Sequence, residues 1–439
     1  MRLNNKSRLA RLLFRLDDAL ALALNLLLLA VVLVVAGLRR VFRLLSGKKQ
    51  AAPTRVLFLS SEGLKVAPAR VRSYHFAQVM GQQGVDTSVL AYWDEYAQLH
   101  HFPFPFRRIW EVEKFCLNLA TLHWLLYKGP LVIVEQRPNY GFLVPLYLKL
   151  LNGSRVYMDI DDWILDYLVV RPFVRLEVRH LLNFFGLYCD DCIVSSVRLQ
   201  KRLSRNFKSI HILPTYVDHR RFTPPAGFDA EAHERDGFEH ADQEHAGPVV
   251  YSWVGTIFQN FTRDNVLFMI EAFALACDRL DRREGLQLDI VGGGDFFKAV
   301  EEEVRTRFAG YPIRMAPWLA PDAMPDYLRS IDVGLYCLVE PSLFQESKSP
   351  TKIFEYYACG RPVISTSFGE AKYFVDQDRT GLLADSVQEY ALAIERLYRE
   401  PQTRRAMGRE GLRRVRTEWN MDVACAGLKR IVLPHDENK

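Results

Sequence analysis

Residues 347–366 read SKSPTKIFEYYACGRPVIST. Ser349 is a good helix N-cap residue, and Pro350 suits the first helical position, where a missing N–H is no loss. Gly360 suits the left-handed residue that ends a helix, and RPVIST is a short apolar strand. A helix running into a strand through a glycine is part of an alternating α/β fold. The start of such a helix offers backbone N–H groups and a positive dipole end, which suits a diphosphate. Glu355, about a turn and a half in, is placed to accept both hydroxyls of a ribose, as an acidic residue does in dinucleotide folds.

The alternation extends outward from this segment. RVLFLSS (55–61), VDTSVLAY (85–92), LVIVEQR (131–137), SRVYMDIDD (154–162), DCIVSS (191–196) and KSIHILP (208–214) read as strands separated by helical runs such as VRSYHFAQVMGQQG (71–84). Residues 225–248 break the pattern. They are acidic and polar, and His233, His240 and His245 among them lack ligand spacing, so a solvated interdomain loop is expected rather than a metal site. The pattern restarts with PVVYSWVGT (248–256), NVLFMIEAFALACDRL (265–280), LQLDIVGGG (286–294), IRMAPW (313–318), VGLYCL (333–338) and RPVIST (361–366). Two such halves predict two doubly wound α/β domains with parallel sheets, binding ligand in a cleft at the carboxyl ends of the strands. A chain of 439 residues, 49% hydrophobic and 25% charged, is folded and long enough for two cores.

The charge is uneven. Residues 1–50 hold ten Lys/Arg and two Asp, a surplus of eight against +5 for the whole chain, so the remainder is net acidic by three. That distribution argues against nucleic-acid binding. Ala19 to Leu38 is uncharged, with one polar interruption at Asn25. At ~1.5 Å per residue it matches the ~30 Å hydrocarbon core, and it is too long for a cleaved signal peptide. An uncleaved membrane anchor is expected. Basic residues flank both ends, so a spanning helix and a helix lying in one leaflet both stay open. The seven scattered cysteines read as buried free thiols of a reducing compartment, Cys189 and Cys192 included. In HHFPFPFRRIW (100–110), aromatics mixed with basic residues fit either a packed loop or contact with a membrane interface.

The segment FEYYACGRPVIST resembles the donor motif of family 4 glycosyltransferases. That motif is an acidic residue, seven residues, a Glu, then a small residue–Gly–x–Pro–Val–Ile strand. Other matches follow in order over most of residues 55–425: YCDDCIVSS with ILPTYVDHRRFTP (213–224), YSWVGT with IEAF, DIVGGG, and FGEAKYFVDQDRTGLLAD (368–385). The resemblance implies the GT-B fold, two doubly wound Rossmann-like domains facing a cleft, with an N-terminal membrane helix added. Expected boundaries are 1–50 for the anchor, 55–222 for an acceptor-binding domain, 225–247 for the loop, 248–417 for the nucleotide-sugar domain and 418–439 for a final helix and tail.

By the same resemblance Glu355 holds the ribose, and Ser347, Ser349, Pro350 and Thr351, with Gly255, Thr256 and Gly293, surround the donor. Arg263 in the loop GTIFQNFTRDN and Lys352 are the expected counter-charges to the leaving nucleotide. Ser347 departs from the pattern, since it stands where many members carry the first acid; forms with SP-x-K-x-FEY share this. On the acceptor side Arg70 and Arg72 follow the first loop and are candidates for an acceptor phosphate, against surface helix charges. Gln136, Arg137 and Asp161 are further acceptor candidates. Asp159–Ile–Asp161 has a DxD form that holds a metal in another transferase fold, but lining the cleft or capping a helix fits this fold better, so no metal or cofactor is expected.

The implied function is retaining transfer from a nucleotide sugar to a lipid-linked glycan or glycolipid, by an enzyme on the inner membrane with its catalytic domains in the cytoplasm. A non-catalytic scaffold and a nucleotide-sugar epimerase or phosphorylase are the alternatives.

Overall fold

The computed structural model describes residues 8–46, 54–92, 94, 111–127, 129–137, 143–163, 178–228, 247–280, 285–340 and 342–433. The expectations for HHFPFPFRRIW and for the histidines of the acidic loop lie outside the described residues. Two compact units emerge, 1–214 with 425–439 and 215–424. Each is a parallel sheet with helices on it.

In the first unit α1 (Arg8–Ser46) precedes β1 (Arg55–Ser60), α2 (Phe76–Gln82), β2 (Asp86–Ala91), α3 (Glu111–Thr121), β3 (Leu131–Gln136), α4 (Val144–Asn152), β4 (Arg155–Ile160), α5 (Val178–Tyr188), β5 (Asp191–Val194), α6 (Val197–Leu203) and β6 (Ile210–Ile212). The sheet order is β2-β1-β3-β4-β5-β6. Val56, Leu57, Phe58, Ile133, Val156, Met158 and Ile193 are all buried. This explains why the strands read as unbroken apolar runs, because helices cover both faces of a parallel sheet.

One residue of that core breaks the rule. Glu135 of β3 is fully buried, with Tyr188 Oη donating to its Oε2 at 3.1 Å. Its Oε1 has no hydrogen-bond partner. Burial pushes the carboxyl well above the usual range. A carboxyl raised on folding favours the folded state below its unfolded pKa of roughly 4.3, and that benefit is lost as pH rises through the folded value. Glu135→Gln is therefore expected to raise the denaturation midpoint at pH 8 but not at pH 4. Parallel urea titrations at the two pH values check it.

The second unit holds β7 (Val249–Thr256), α7 (Asn260–Leu280), β8 (Leu286–Gly293), α8 (Phe297–Arg307), β9 (Ile313–Pro317), α9 (Met324–Ser330), β10 (Val333–Tyr336), α10 (Leu343–Glu346), α11 (Thr351–Ala358), β11 (Val363–Ser365), β12 (Gly381–Leu383), α12 (Val387–Arg399) and α13 (Pro401–Thr417). A last helix, α14 (Met421–Val432), begins in this unit and ends in the first. The order β12-β11-β10-β7-β8-β9 places the first strand of the unit in mid-sheet.

One local expectation changes and one holds. Ser349 does not cap α11: the helix starts at Thr351 behind Pro350, without a side-chain cap. The Ser349 hydroxyl instead accepts the Thr215 backbone N–H at 3.1 Å. At the other end Gly360 takes φ +71, and the Arg361 N–H reaches the Tyr356 carbonyl at 2.9 Å. This is the expected left-handed stop. A Cβ at Gly360 would also stand 2.5 Å from the Phe228 ring.

Candidate active site

In a doubly wound sheet, ligand binds where the strand order reverses, at the carboxyl ends of the strands on either side. In the second unit that point lies between β7 and β10. A cavity of about 130 Å³ opens there, lined by Thr256 at the end of β7 and by Tyr336, Cys337 and Leu338 at the end of β10. Ser349, Thr351 and Lys352 form the wall contributed by the start of α11.

Helix α11 is held rigidly. Ile353, Phe354, Tyr356 and Tyr357 are buried. Phe354 meets the rings of Tyr216, Phe374 and Trp419 at centroid distances of 5.2, 4.8 and 5.9 Å. Tyr356 Oη donates to the Ser252 carbonyl at 3.1 Å, and the Tyr357 and Thr380 hydroxyls share a hydrogen bond of 2.9 Å. This packing fixes Lys352 at the cavity and Glu355 almost one turn further along. Burial lowers the Lys352 ammonium below the usual lysine range, against the attraction of Glu355.

The opposite wall is aromatic. Phe258, Phe261 and Phe344 form a triangle with centroids 6.1, 6.2 and 5.8 Å apart. Lys348 Nζ stands 5.0 Å from the Phe344 ring and 5.9 Å from Phe258, within cation–π range. Behind it Asn265 donates to Gln345 Oε1 at 3.0 Å and accepts the Val339 N–H at 2.8 Å, while Gln345 donates to the Glu340 carbonyl at 2.9 Å. These bonds tie α7, α10 and the loop after β10 into one frame. The cavity is lined by two lysines and no carboxylate.

Several expected donor residues stand elsewhere. Arg263 is in the first turn of α7, which begins at Asn260 and so takes in part of the expected loop. Its guanidinium is paired with neighbouring Asp264 at 2.8 Å, and it does not line the cavity. Lys348, not named from the sequence, lines the cavity instead; the signal was a second lysine four residues before Lys352. Ser347 is fully buried, with its hydroxyl donating to the Phe344 carbonyl at 3.2 Å. Gly255 lies against the Trp253 ring and Gly293 beside Trp318, where a Cβ would come within 2.5 and 2.8 Å. Pro350 precedes α11 and does not line the cavity. The aromatic triangle and Asn265 were not foreseen.

In the first unit the order reverses between β1 and β3. Arg137, just past β3, adopts φ +65, a strained value for a non-glycine residue. Three carboxylates hold it: Asp161 at 2.9 Å, Glu62 at 3.1 Å and Asp162 at 3.2 Å. Burial pulls Glu62 above the usual carboxylate range despite Arg137. For Asp161 burial acts the same way, but the Arg137 charge and hydrogen bond overcome it and hold the group low. Gln136 accepts from Ser60 Oγ at 2.8 Å.

Arg72 corrects the acceptor expectation. Its side chain is 1% exposed, and its Nε and Nη2 both bond Asp159, the former at 2.9 Å. Nη1 donates to the Leu213 carbonyl at 2.7 Å. The guanidinium is built into the unit, with three of its five N–H donors bonded and the whole group buried away from any ligand. Arg137 is likewise committed to its three carboxylates, so neither arginine is available to grip a phosphate. Arg70 is half-buried at the surface. Among the described residues no group of three or more His, Cys, Asp or Glu is arranged to hold a metal ion.

Residues 248–400 match the family described as Glycosyl transferases group 1. The second unit carries a group 1 glycosyltransferase domain. The chain is 23% identical over 323 residues to the chitobiosyldiphosphodolichol beta-mannosyltransferase of Candida albicans, covering 69% of this chain and 67% of that protein. It is 27% identical over 150 residues to the GDP-mannose-dependent alpha-(1-6)-phosphatidylinositol monomannoside mannosyltransferase of Mycobacterium tuberculosis, covering 34% of this chain and 39% of that one. HepE of Anabaena, crystallised with UDP, superposes with a TM-score of 0.59 at 13% identity, over 86% of this chain and 99% of that one. The glycosyltransferase domain and the unit before it thus have the GT-B architecture of two parallel-sheet α/β domains.

Proposed function

We propose that this chain moves a sugar from a nucleotide-sugar donor to a membrane-associated acceptor, a glycolipid or lipid-linked glycan, with retention at the anomeric carbon. The observation that carries the reading is the carboxylate-free cavity at the switch point of the glycosyltransferase domain, with Lys348 and Lys352 on its wall. A nucleoside diphosphate leaving group accumulates negative charge as the anomeric C–O bond breaks. Two fixed ammonium groups beside the start of α11 stabilise that charge. Glu355 takes the ribose hydroxyls.

No carboxylate lines the cavity to trap the sugar or to activate its hydroxyl-bearing residues, and burial pushes the Cys337 thiol well above the usual range, which leaves it a poor nucleophile. The acceptor hydroxyl therefore attacks on the face the diphosphate leaves. Its oxygen bonds the anomeric carbon, and its proton passes to the departing phosphate oxygen. The first unit's switch point, with Glu62, Arg137, Asp161 and Asp162 and with Arg70 nearby in sequence, is the proposed acceptor region. Lysines supply the counter-charge, so EDTA is expected to leave turnover unchanged; loss of activity that added Mg²⁺ restores would reject the lysine assignment. Lipid-acting relatives and α1 support a site of action at the inner face of a cytoplasmic membrane.

A screen of UDP-, GDP- and dTDP-sugars with detergent-solubilised protein tests the reading through donor hydrolysis. One donor should be turned over, and Glu355→Ala should raise KM for it at least tenfold with the fold intact. Undiminished kinetics in folded Glu355→Ala would remove that residue from the site.

A further inference from the structure

We infer that α1 lies in the plane of a bilayer, against one leaflet, and does not cross it. The inference rests on the membrane reading above and goes beyond it. One stripe of α1 is packed on its own unit: Val32 and Ala36 form a cluster with Tyr147 and Leu151 of α4, joined by Leu28 and Leu29. Arg39 Nη1 donates to the Leu151 carbonyl at 3.3 Å, and Tyr147 Oη donates to the Asn25 carbonyl at 3.4 Å. From Asn25 to Arg39 this seam runs ~21 Å at ~1.5 Å per residue, most of the ~30 Å a spanning helix would set in hydrocarbon.

The partner cannot follow α1 into a bilayer. Helix α4 is a sheet-covering crossover helix. Its Lys149 is ion-paired to Asp190 at 2.7 Å, and it ends in the turn Asn152–Ser154 that leads into β4 at Arg155. An ion pair and an irregular turn drawn into hydrocarbon alongside a spanning α1 would leave charges and backbone groups without water.

Away from that stripe, α1 exposes a mainly apolar surface between its charged ends. Twelve large hydrophobic side chains between Leu12 and Val41 are exposed, Leu27, Val34 and Leu38 by 64 to 67%. At ~100° per residue they sweep an arc of roughly 220°, far wider than the ~100° stripe a partner helix covers. Arg15 near one end and Arg39 and Arg40 at the other are exposed, and Arg8, Arg11 and Arg43 add charge in the sequence. A broad apolar arc with basic residues at both ends fits anionic headgroups along its whole length. The occupant is a lipid leaflet.

The test is sidedness in sealed vesicles of phosphatidylethanolamine and phosphatidylglycerol. Full-length protein with Cys116→Ser and Cys189→Ser, its other five cysteines being buried, receives one added cysteine at Asn5→Cys, at Ser46→Cys, or at Glu302→Cys as the reference for the folded units. An in-plane helix predicts that an impermeant maleimide labels all three from the same side. Labelling of Asn5→Cys from the side opposite to the other two overturns the inference. Leu27→Glu with Val34→Glu should lower the vesicle-bound fraction at least tenfold while donor hydrolysis in detergent is kept. A wild-type chain that stays unbound to vesicles, or binds them no less after that double change, overturns the membrane reading itself and leaves the donor site standing.

Discussion

Alanine at Lys352 is expected to reduce sugar transfer by roughly 10²–10³-fold, the size of effect seen when one preorganised charge-stabilising group is removed from a transition state. The loss should fall on kcat more than on KM, because the charge it meets grows as the donor bond breaks. The lowered ammonium adds a second signature. A diphosphate is bound best by the protonated lysine, so affinity is full below the lowered pKa and falls as pH rises through it, before the 10.5 of an ordinary lysine. Lys352→Ala should flatten that limb of the profile. The helix itself should be unaffected, since the buried residues next to it on α11 are Ile353 and Phe354. Binding titrations of a nucleoside diphosphate across pH, with steady-state kinetics on the same proteins, check both parts.

The second large effect is on stability. Arg72→Ala is expected to cost about 3–5 kcal/mol, because it leaves the Asp159 carboxylate buried without its partner. Against a total of about 5–15 kcal/mol for a domain, this is enough to unfold a sizeable fraction of the first unit. Replacing both partners, Arg72→Met with Asp159→Leu, should recover much of the loss. Urea denaturation followed by tryptophan fluorescence reads the difference. If Arg72→Ala kept full stability and lost only acceptor use, the arginine would be a ligand-binding residue after all.

Those two residues show what the sequence discloses and what it hides. The strands were legible because parallel strands covered on both faces must be apolar throughout, as in RVLFLSS and LVIVEQR. Strand β12, three residues long, was too short to carry a period. The donor segment was legible because a helix start, an acid and a left-handed glycine are local features. Ser349 fooled the local rule, since the Thr215 N–H, 134 residues away, claims its hydroxyl. Arg72 read as an acceptor ligand or a surface charge because its partner Asp159 is 87 residues distant in sequence. The aromatic triangle joins Phe258 and Phe261 to Phe344 only through the fold of the second unit. Arg263 seemed to sit in a loop because the polar NFTRD run conceals the first turn of α7.

The donor's diphosphate is proposed to sit in the cavity between β7 and β10. Calorimetric titration of UDP, GDP and dTDP into the detergent-solubilised full chain, beside the double variant Lys348→Met with Lys352→Met, tests it most directly. One nucleotide should bind wild-type protein at one site per chain, with at least 100-fold weaker affinity for the folded double variant. Binding of none of the three, or equal binding by both proteins, would contradict it.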